Sequence, residues 1–530
     1  MSPTRREALA RLSALLAMPM VGWPARASDP LAGTIAQYQA GRLRGDFSAV
    51  EVTNEALTRS RAWNGTLRAI DQLADSAIAE ARASDARARR GALIGPLDGV
   101  PLFAKSIYDM KGLPTTASSA EWARLFPAPA TRDALEVQRL RAAGAVLLGK
   151  TTADDFAYRG NGTSSLTGQV RNPHDRAGLR TPGGSSAGSA VVVACGMAFA
   201  ALGTDDGGSN RIPAQFTGVV GMKPSFGLVP RTGVIPTWPY LDTHGPLART
   251  VADAALMLDA IAGPDASDGL ADRSPYTSGR LGTLRDDALV GARLGLVELH
   301  VPRARMTAEC IGVFDRAITD CVSAGAVVEA FVPPVDRVNV RNVFATLATA
   351  RGDVVPNHNA PAPTANALLR YFARRGDAER TVERNVQRGL AAFRAFYDVL
   401  PADWDAVRQL IVQPYEEDAA SISFARSREQ AVAQLAASFA ARRIDAMVYP
   451  TMPFGAPIAT DPWPDVRTTL GYGNWLGLPE VSVPAGYGVN GLPAGNLSFV
   501  GLPGSDVRLL ALAHAYEQRS QRFVAPPTPA

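Results

Sequence analysis

The chain has 530 residues, of which 46% are hydrophobic and 20% are charged, a mixture typical of globular proteins. Its 54 basic and 50 acidic side chains leave a net charge of only +4. There is no run of five or more like charges and no basic stripe interleaved with aromatic residues, which argues against a nucleic-acid partner.

The beginning of the chain, residues 1–27, resembles a secretory leader. Arg5 and Arg6 precede a mostly apolar stretch, and a small-x-small triplet that ends at Ala27 fits a cleavage site. This order is typical of an export signal, and the paired arginines resemble the twin-arginine type. Arg11 interrupts the apolar stretch, so an ordinary N-terminal helix stays the alternative. We expect export, to the periplasm of a bacterium.

Residues 28–530 are predicted to form one α/β domain with four segments. Residues 28–90 carry helical periodicity, and residues 91–264 are Gly-rich, with short apolar runs that predict buried strands between helices. Residues 265–443 are more polar and predict helices, and residues 444–530 predict further strands and a closing helix. Strands are predicted within GVPLFAK, AVLLGKT, LGTLRDDALVGARLGLVEL, IDAMVYPTMPF and PEVSVPAGY. We expect them to share one sheet, which the polar segment covers.

Three features are absent from the sequence: a membrane span, a disulfide between Cys310 and Cys321, and a metal site. After the leader, no apolar run reaches the roughly 20 residues that a membrane-spanning helix needs, so we predict no integral membrane span. Cys310 and Cys321 lie on one helical pattern, roughly 16 Å apart along its axis, which is too far for a disulfide. We therefore predict buried free thiols. No His/Cys cluster predicts a metal site.

Lys105 closes the apolar run in LDGVPLFAKSIYD, which predicts a lysine at the end of a buried strand. Burial disfavours the charged form of a lysine and lowers its pKa, and a neutral amine can act as a general base. The alternative is a lysine that extends from the strand end to water.

The segment TPGGSSAGSA places Ser185 and Ser186 after two glycines and before an apolar segment that predicts a helix or a strand. A helix N-cap is the plain explanation for such serines. Gly184 to Gly188 also matches the nucleophile-elbow pattern G-x-S-x-G, which would make Ser186 the nucleophile of an esterase. That mechanism needs a later histidine, and none of the later histidines stands in a convincing loop motif.

The segment GTDDGGSNR predicts a glycine turn in which successive N–H groups converge on one point. Such a nest binds anions, and a nest aimed at a developing alkoxide is an oxyanion hole. The two glycines allow the backbone to approach a substrate carbonyl closely, and they present Ser209 at the same point.

In this order and spacing, the three features resemble the amidase signature family. The resemblance rests on Lys105, GGSSAGSA, GTDDGGSNRIPAQFTGVVGMKPS and LDTHGPLARTVAD. It extends to GKTTADDFAYRGNGTSSLTGQVRNPHD before the serine-rich loop and to GLPEVSVPAGYGVNGLPAGNLSFVG near the C-terminus. Only the middle third of the chain lacks it. The resemblance implies an α/β fold of essentially one domain, in which helices cover a large twisted mixed sheet.

The resemblance also implies a Ser–cis-Ser–Lys triad. Ser209 would be the nucleophile, Ser185 would follow a cis peptide bond and pass protons, and Lys105 would be the base. The oxyanion hole would be formed by the amides of four successive residues: Asp206, Gly207, Gly208 and Ser209. The implied reaction is hydrolysis of a carboxylic amide through an acyl-enzyme, without a metal or cofactor.

Five positions depart from the usual pattern of the family: Ser106, Asp155, Ala187, Asp206 and Asn210. Asp206 matters most, because a carboxylate facing the pocket would raise the pKa of Lys105 and repel the oxyanion. We therefore expect its side chain to point away from the pocket, toward Arg211.

The sequence says least about the identity of the substrate. In this family the variable middle and loops near the C-terminus line the acyl pocket, which suggests Tyr240, Tyr472 and Trp475 as substrate-binding residues. The alternative is that they are core aromatics. The partner we expect is a small-molecule amide, and the chain is expected to be a monomer or homodimer. Competing hypotheses are a glutaminase-type component of an amidotransferase, a catalytically inactive amidase-like binding protein and the Ser186 esterase.

Overall fold

The computed structural model describes residues 29–237, 240–268, 270, 284–298, 300–335, 361–375, 379–394, 419–461 and 470–529. The predicted leader, residues 1–27, lies outside these ranges, as does much of the predicted helical segment 265–443. Within the described ranges, no helix is both long enough and apolar enough to cross a membrane.

An 11-stranded mixed sheet forms the centre of the molecule, in the order β1-β3-β2-β6-β8-β7-β12-β13-β11-β9-β10. Its strands are β1 (Ile70–Leu73), β2 (Pro101–Lys105), β3 (Val146–Thr151), β6 (Ala200–Thr204), β7 (Val220–Lys223), β8 (His244–Ala248), β9 (Arg293–Leu296), β10 (Val327–Ala330), β11 (Ala446–Pro450), β12 (Glu480–Tyr487) and β13 (Pro493–Val500). A separate small ribbon contains β4 (Thr163–Ser164) and β5 (Gly168–Gln169). The predicted strands are confirmed, and so is the prediction that they share one sheet.

Helices pack on the sheet and supply most of the remaining core. They are α1 (Ile35–Arg44), α2 (Ala49–Leu67), α3 (Ala77–Arg89), α4 (Ala120–Leu125), α5 (Leu135–Ala142), α6 (Ala187–Ala194), α7 (Arg211–Thr217), α8 (Val251–Ile261), α9 (Ala308–Ser323), α10 (Pro361–Arg374), α11 (Glu379–Arg394), α12 (Ala419–Arg442) and α13 (Asp506–Ser520). Side-chain caps define several starts, as at Ser48, which forms a reciprocal capping box with Glu51 before α2. Cys310 and Cys321 lie on α9 as buried free thiols, as predicted.

Three neighbouring parallel strands near one end of the sheet, β3, β2 and β6, position the residues of the functional site. β2 pairs in parallel with both β3 and β6. Because the carboxyl ends of parallel strands meet at the same edge of a sheet, the last residues of β2 and β6, Lys105 and Thr204, lie side by side. β8 then pairs antiparallel with β6, with Thr204 opposite His244, and brings its own beginning to the same edge.

Candidate active site

Lys105 lies at this edge with none of its surface exposed. Its Nζ donates to Ser185 Oγ at 2.7 Å and to Thr204 Oγ1 at 2.8 Å. Burial lowers the pKa of Lys105 to about 8, although the surrounding carboxylates act in the opposite direction. A substantial fraction of the amine is therefore neutral near physiological pH, and the prediction of a lysine at a buried strand end is confirmed.

The serine-rich loop enters α6 directly above Lys105. The Gly184–Ser185 peptide bond is cis, which is the conformation that the resemblance implies for this serine. The Ser185 carbonyl accepts a hydrogen bond from the Asp154 N–H at 3.3 Å. Ser186 Oγ instead donates to Asn210 Oδ1 at 3.0 Å, and no histidine in the described part of the chain bonds to it. The geometry therefore gives the Ser186 esterase hypothesis no base.

The Ser209 loop connects β6 to α7 and is held against the serine-rich loop. The Ser186 N–H donates to the Ser209 carbonyl at 3.1 Å, which brings Ser209 and Ser185 to the same edge of the sheet. Ser209 retains 7% of its surface exposed, whereas Ser185 retains none. The three predicted triad residues thus lie at one edge of the sheet, and Ser209 is the one of the three that retains some exposed surface.

One of the four amides predicted to bind the oxyanion, that of Gly208, donates a hydrogen bond within the protein. The Gly208 N–H donates to Asp205 Oδ1 at 2.7 Å, so it does not point into the site, and the expectation for this amide is wrong in this structure. Gly208 has a φ of +111°, which a residue with a Cβ adopts only with strain. Within the described ranges, the Asp206 and Ser209 amides make no such bond and remain candidates; Gly207 stays a prediction.

A buried network of ion pairs around Arg211 holds the Ser209 loop in place. Arg211 donates to both carboxylate oxygens of Asp205 at 2.8 and 2.9 Å, to Glu480 Oε2 at 2.6 Å and to Asn474 Oδ1 at 2.6 Å. Burial alone would raise the pKa of Asp205, but the Arg211 guanidinium holds it well below its usual range. Asp205 therefore stays ionised and orders the turn through the Gly208 and Asn210 amides.

The expectation for Asp206 is wrong. Arg211 is fully engaged by Asp205, Glu480 and Asn474, so it does not pair with Asp206. The Asp206 carboxyl instead turns inward, toward Asp242, and is foremost among the negative charges that act on Lys105. Burial, followed by the charge of Asp242, raises the pKa of Asp206 well above its ordinary value.

Tyr240, Tyr472 and Trp475 lie together in one packed aromatic cluster, each with 4–6% of its surface exposed. Arg428 connects two of them, because it donates to the Tyr240 carbonyl at 2.5 Å and to the Trp475 carbonyl at 3.0 Å. This burial is what core aromatics show. Their role in an acyl pocket stays a prediction.

The sequence reasoning missed four residues that shape the site: Thr204, Asp242, Asn474 and Glu480. Asn474 lies between two of the predicted aromatic residues and donates to the Asp205 carbonyl at 3.0 Å. A polar residue inside GYGNWLGLP and an acidic residue within a buried strand, PEVSVP, were the available signals. Within the described ranges, no group of three or more metal-ligating side chains comes together.

Comparison with known proteins agrees with this geometry. The amidase family model matches residues 51–510. A glutamyl-tRNA(Gln) amidotransferase subunit from Symbiobacterium thermophilum is 36% identical over 508 residues, covering 92% of this chain and 96% of that protein. The corresponding subunit from Methylococcus capsulatus is 35% identical over 504 residues, with the same coverage.

Among solved structures, native peptide amidase from Stenotrophomonas maltophilia superposes with a TM-score of 0.76 at 31% identity, covering 94% of this chain and 99% of that one. An amidase family protein from Bacillus anthracis gives a TM-score of 0.75 at 25% identity, with 99% of both chains covered. Fold and site thus define a hydrolase that acts on amide C–N bonds. The chain belongs to the amidase family, the amidase signature proteins.

Proposed function

We propose that this protein hydrolyses a carboxylic amide through an acyl-enzyme on Ser209, with Ser185 as proton relay and Lys105 as base. The observation that carries the proposal is the 2.7 Å contact between Lys105 Nζ and Ser185 Oγ in a fully buried setting. Such a contact suits proton transfer, because a lysine excluded from water is able to accept a proton near neutral pH.

The sequence of steps follows from the atoms involved. Neutral Lys105 accepts the Ser185 proton through its lone pair, while one of its N–H groups still donates to Thr204 Oγ1. Ser185 in turn takes the Ser209 proton, and Ser209 Oγ attacks the amide carbonyl. The amides of Asp206 and Ser209 stabilise the oxyanion. The proton returns through Ser185 to the leaving nitrogen, since an amine leaves readily only when it is protonated, and water then cleaves the ester.

The products of this reaction are a carboxylate and ammonia or an amine. A free-standing amidase that acts on small amides is our preferred hypothesis, and the likeness to a peptide amidase supports it. The alternative is a glutaminase-type subunit of an amidotransferase, which the names of the curated relatives suggest. We further propose export to the periplasm on the basis of the N-terminal leader, which speaks against the subunit hypothesis.

A fluorophosphonate probe tests the mechanism without knowledge of the substrate. We expect the purified protein to be labelled on Ser209, and we expect Lys105→Met to slow labelling by about 10²–10⁴-fold, the usual contribution of a general base. Lys150→Met is a matched control, because Lys150 is equally buried but bonds to Pro114 and Thr115. A label on Ser186, or none on a folded protein, would contradict the proposal.

A second experiment separates the two hypotheses on substrate. Unlabelled protein from a preparation whose Ser209 reacts with the probe is assayed for release of ammonia or amine from glutamine and from a library of peptide and aryl amides. Turnover of library amides by the isolated chain supports the free-standing amidase. Activity on glutamine alone, and only with a partner chain from the same organism, supports the amidotransferase hypothesis.

A further inference from the structure

The register of β6 and β8 places two acidic residues opposite each other beside the candidate active site. Thr204 pairs with His244, and the Asp205 N–H donates to the Thr243 carbonyl at 2.7 Å. Both residues lie just beyond the strand ends, and when the same antiparallel order is continued the next pair is Asp206 and Asp242, whose carboxyl groups interact directly. The backbone pairing, rather than a chance side-chain rotamer, therefore brings them together.

Both carboxyl groups are removed from water. Asp206 retains 9% of its surface and Asp242 retains 6%. Asp242 Oδ2 accepts the Thr237 N–H at 3.2 Å, whereas neither oxygen of Asp206 accepts a hydrogen bond from any donor in the described part of the chain. An ionised carboxylate with no donor is costly to bury, and two adjacent ones are more so. A proton between them removes both costs.

Charged and titratable groups approach this pair from every side. Asp206 interacts electrostatically with Lys105 at the end of β2, with Tyr108 just after it and with Asp205 in the same loop; Asp154, after β3, also acts on Lys105. On the far side, Asp242 borders a cavity of about 400 Å³ whose other charged or titratable lining residues are Arg132, Arg231, His244, Asp268, Arg370, Tyr371 and Arg374. Arg231 is engaged there by Asp268, at 2.5 and 2.6 Å.

We propose that Asp206 and Asp242 share one proton, so that the pair presents a single negative charge to Lys105 and to the Ser209 loop. Asp206 is then a neutral carboxylic acid that donates to the Asp242 carboxylate. Lys105 consequently experiences one negative charge at this place rather than two, and it loses its own proton at a lower pH than it would beside two carboxylates. The pair acts through Lys105, so both residues are positioning residues. This inference rests on the proposed role of Lys105 as base.

Loss of the shared proton at alkaline pH has two consequences, and both lower the rate of Ser209 labelling. The second negative charge favours the protonated form of Lys105, and it opposes the oxyanion that forms on the adjacent amides. We therefore expect the rate of Ser209 labelling to rise through the Lys105 titration and to fall again when the pair loses its proton.

The test is the pH profile of fluorophosphonate labelling in Asp206→Asn, Asp242→Asn and the double variant. Each single variant removes one carboxyl but leaves one negative charge, so we expect its acid limb to stay where it is in the wild type and its alkaline limb to vanish. The double variant removes the charge, and its acid limb should move down by about 1–3 pH units, the effect of one nearby carboxylate. An acid limb that moves down in either single variant overturns the proposal.

A second readout does not depend on activity. Infrared difference spectra at neutral pH should show the loss of one protonated carboxyl band in Asp206→Asn and of the same band in Asp242→Asn, because the remaining carboxyl is ionised in each. No lost band in either variant overturns the proposal, even if Ser209 is labelled normally. If Ser209 is not labelled in any variant, the proposed function fails, and the spectra still decide whether the proton is shared.

Asp253→Asn is the matched control for both measurements. Asp253 is also buried, at 1% exposure, and burial raises its pKa to about 6. It accepts a hydrogen bond from the Ile35 N–H at 3.0 Å and is not among the carboxylates that act on Lys105. We expect this variant to keep both limbs of the labelling profile.

Discussion

Lys105 shows how a single residue acquires its chemistry from its surroundings. Two hydroxyl groups, on Ser185 and Thr204, contact its amine, and burial lowers its pKa to about 8. An ordinary lysine is almost fully charged at neutral pH and is therefore a poor base. At this scale, function depends on the protonation of one nitrogen and on the direction of its lone pair.

The pH dependence of the reaction follows from that pKa. Lys105 must be neutral to accept a proton, so the rate of Ser209 labelling should rise with pH and reach half of its plateau near the Lys105 pKa of about 8. The rate is measured from labelling reactions that are quenched at successive times, at a series of pH values between about 5 and 10. A profile that is flat from pH 6 to 9 would show that Lys105 is not the titrating base.

Thr204 is expected to orient the Lys105 amine. Its Oγ1 accepts an N–H from Lys105 at 2.8 Å, which leaves the lone pair for Ser185. Thr204→Val keeps the shape but removes the acceptor, and we expect labelling to slow by about tenfold, the value of one hydrogen bond of about 1.4 kcal/mol. Thr204→Ser retains the hydroxyl and should recover most of the rate. Equal losses in both variants would assign Thr204 a packing role only.

At the scale of elements, the site depends on how closely α6 approaches the sheet. Ser185 and Ser186 immediately precede α6, and Gly188 in its first turn lies against the backbone of two neighbouring segments. The Gly188 N–H donates to the Thr152 carbonyl at 2.9 Å. A Cβ at Gly188 would lie 2.1 Å from the Ala69 carbonyl oxygen and 2.7 Å from Thr152 backbone atoms, which are distances that no packed side chain adopts.

Gly188→Ala is therefore expected to displace α6. Overpacking of this kind typically costs about 1–3 kcal/mol, and urea unfolding should show a loss in that range, together with slower Ser209 labelling. Gly65→Ala is the control, because a Cβ at this helical glycine of α2 meets nothing within 4 Å. It should leave labelling unchanged and stabilise the chain by up to about 1 kcal/mol. Similar unfolding curves for the two variants would contradict the close-approach argument.

At the scale of the whole molecule, hydrogen bonds to side chains of the closing helix α13 connect the C-terminal part of the chain to the core. Glu517, on α13, accepts the Val251 N–H at the start of α8 through both carboxylate oxygens, at 2.9 and 3.2 Å. Asp506, at the beginning of the same helix, accepts from the Ser225 N–H at 2.8 Å. These contacts join segments that are far apart in the chain, since Val251 and Glu517 are separated by 266 positions.

The Glu517 contact predicts how stability varies with pH. Burial raises the pKa of Glu517 from 4.5 to about 8 in the folded chain. The folded state thus holds a proton that the unfolded state releases, so the free energy of unfolding should fall as pH rises between about 4.5 and 8, by up to about 1.4 kcal/mol per pH unit.

Glu517→Gln removes this titration, and its urea unfolding between pH 5 and 8 should show a shallower slope than the wild type. Glu429→Gln, at an exposed position of α12, serves as the control and should keep the wild-type slope. Parallel slopes for wild type and Glu517→Gln would contradict the assignment.

The sequence by itself determined five strands of the central sheet, several helices and the family. The strands and helices follow from local patterns, because apolar periodicity is a property of short segments, whereas the three residues of the proposed triad came from the resemblance to the amidase signature family. GVPLFAK predicted a strand that ends on a buried lysine, and β2 ends at Lys105. The same local patterns left Tyr240, Tyr472 and Trp475 open between pocket and core, because periodicity does not specify which segment packs against an aromatic ring.

Only the tertiary structure decided the direction of Asp206. Its sequence neighbour Arg211 was the natural partner from local spacing, but Glu480, 269 positions away, and Asp205 occupy that guanidinium. The pairing of β6 with β8, continued past the strand ends by the bond from the Asp205 N–H to the Thr243 carbonyl, then brought Asp242 to Asp206. The direction of this carboxyl group depends on long-range strand pairing, because that pairing fixes the position of the backbone and therefore which groups lie within reach of the side chain.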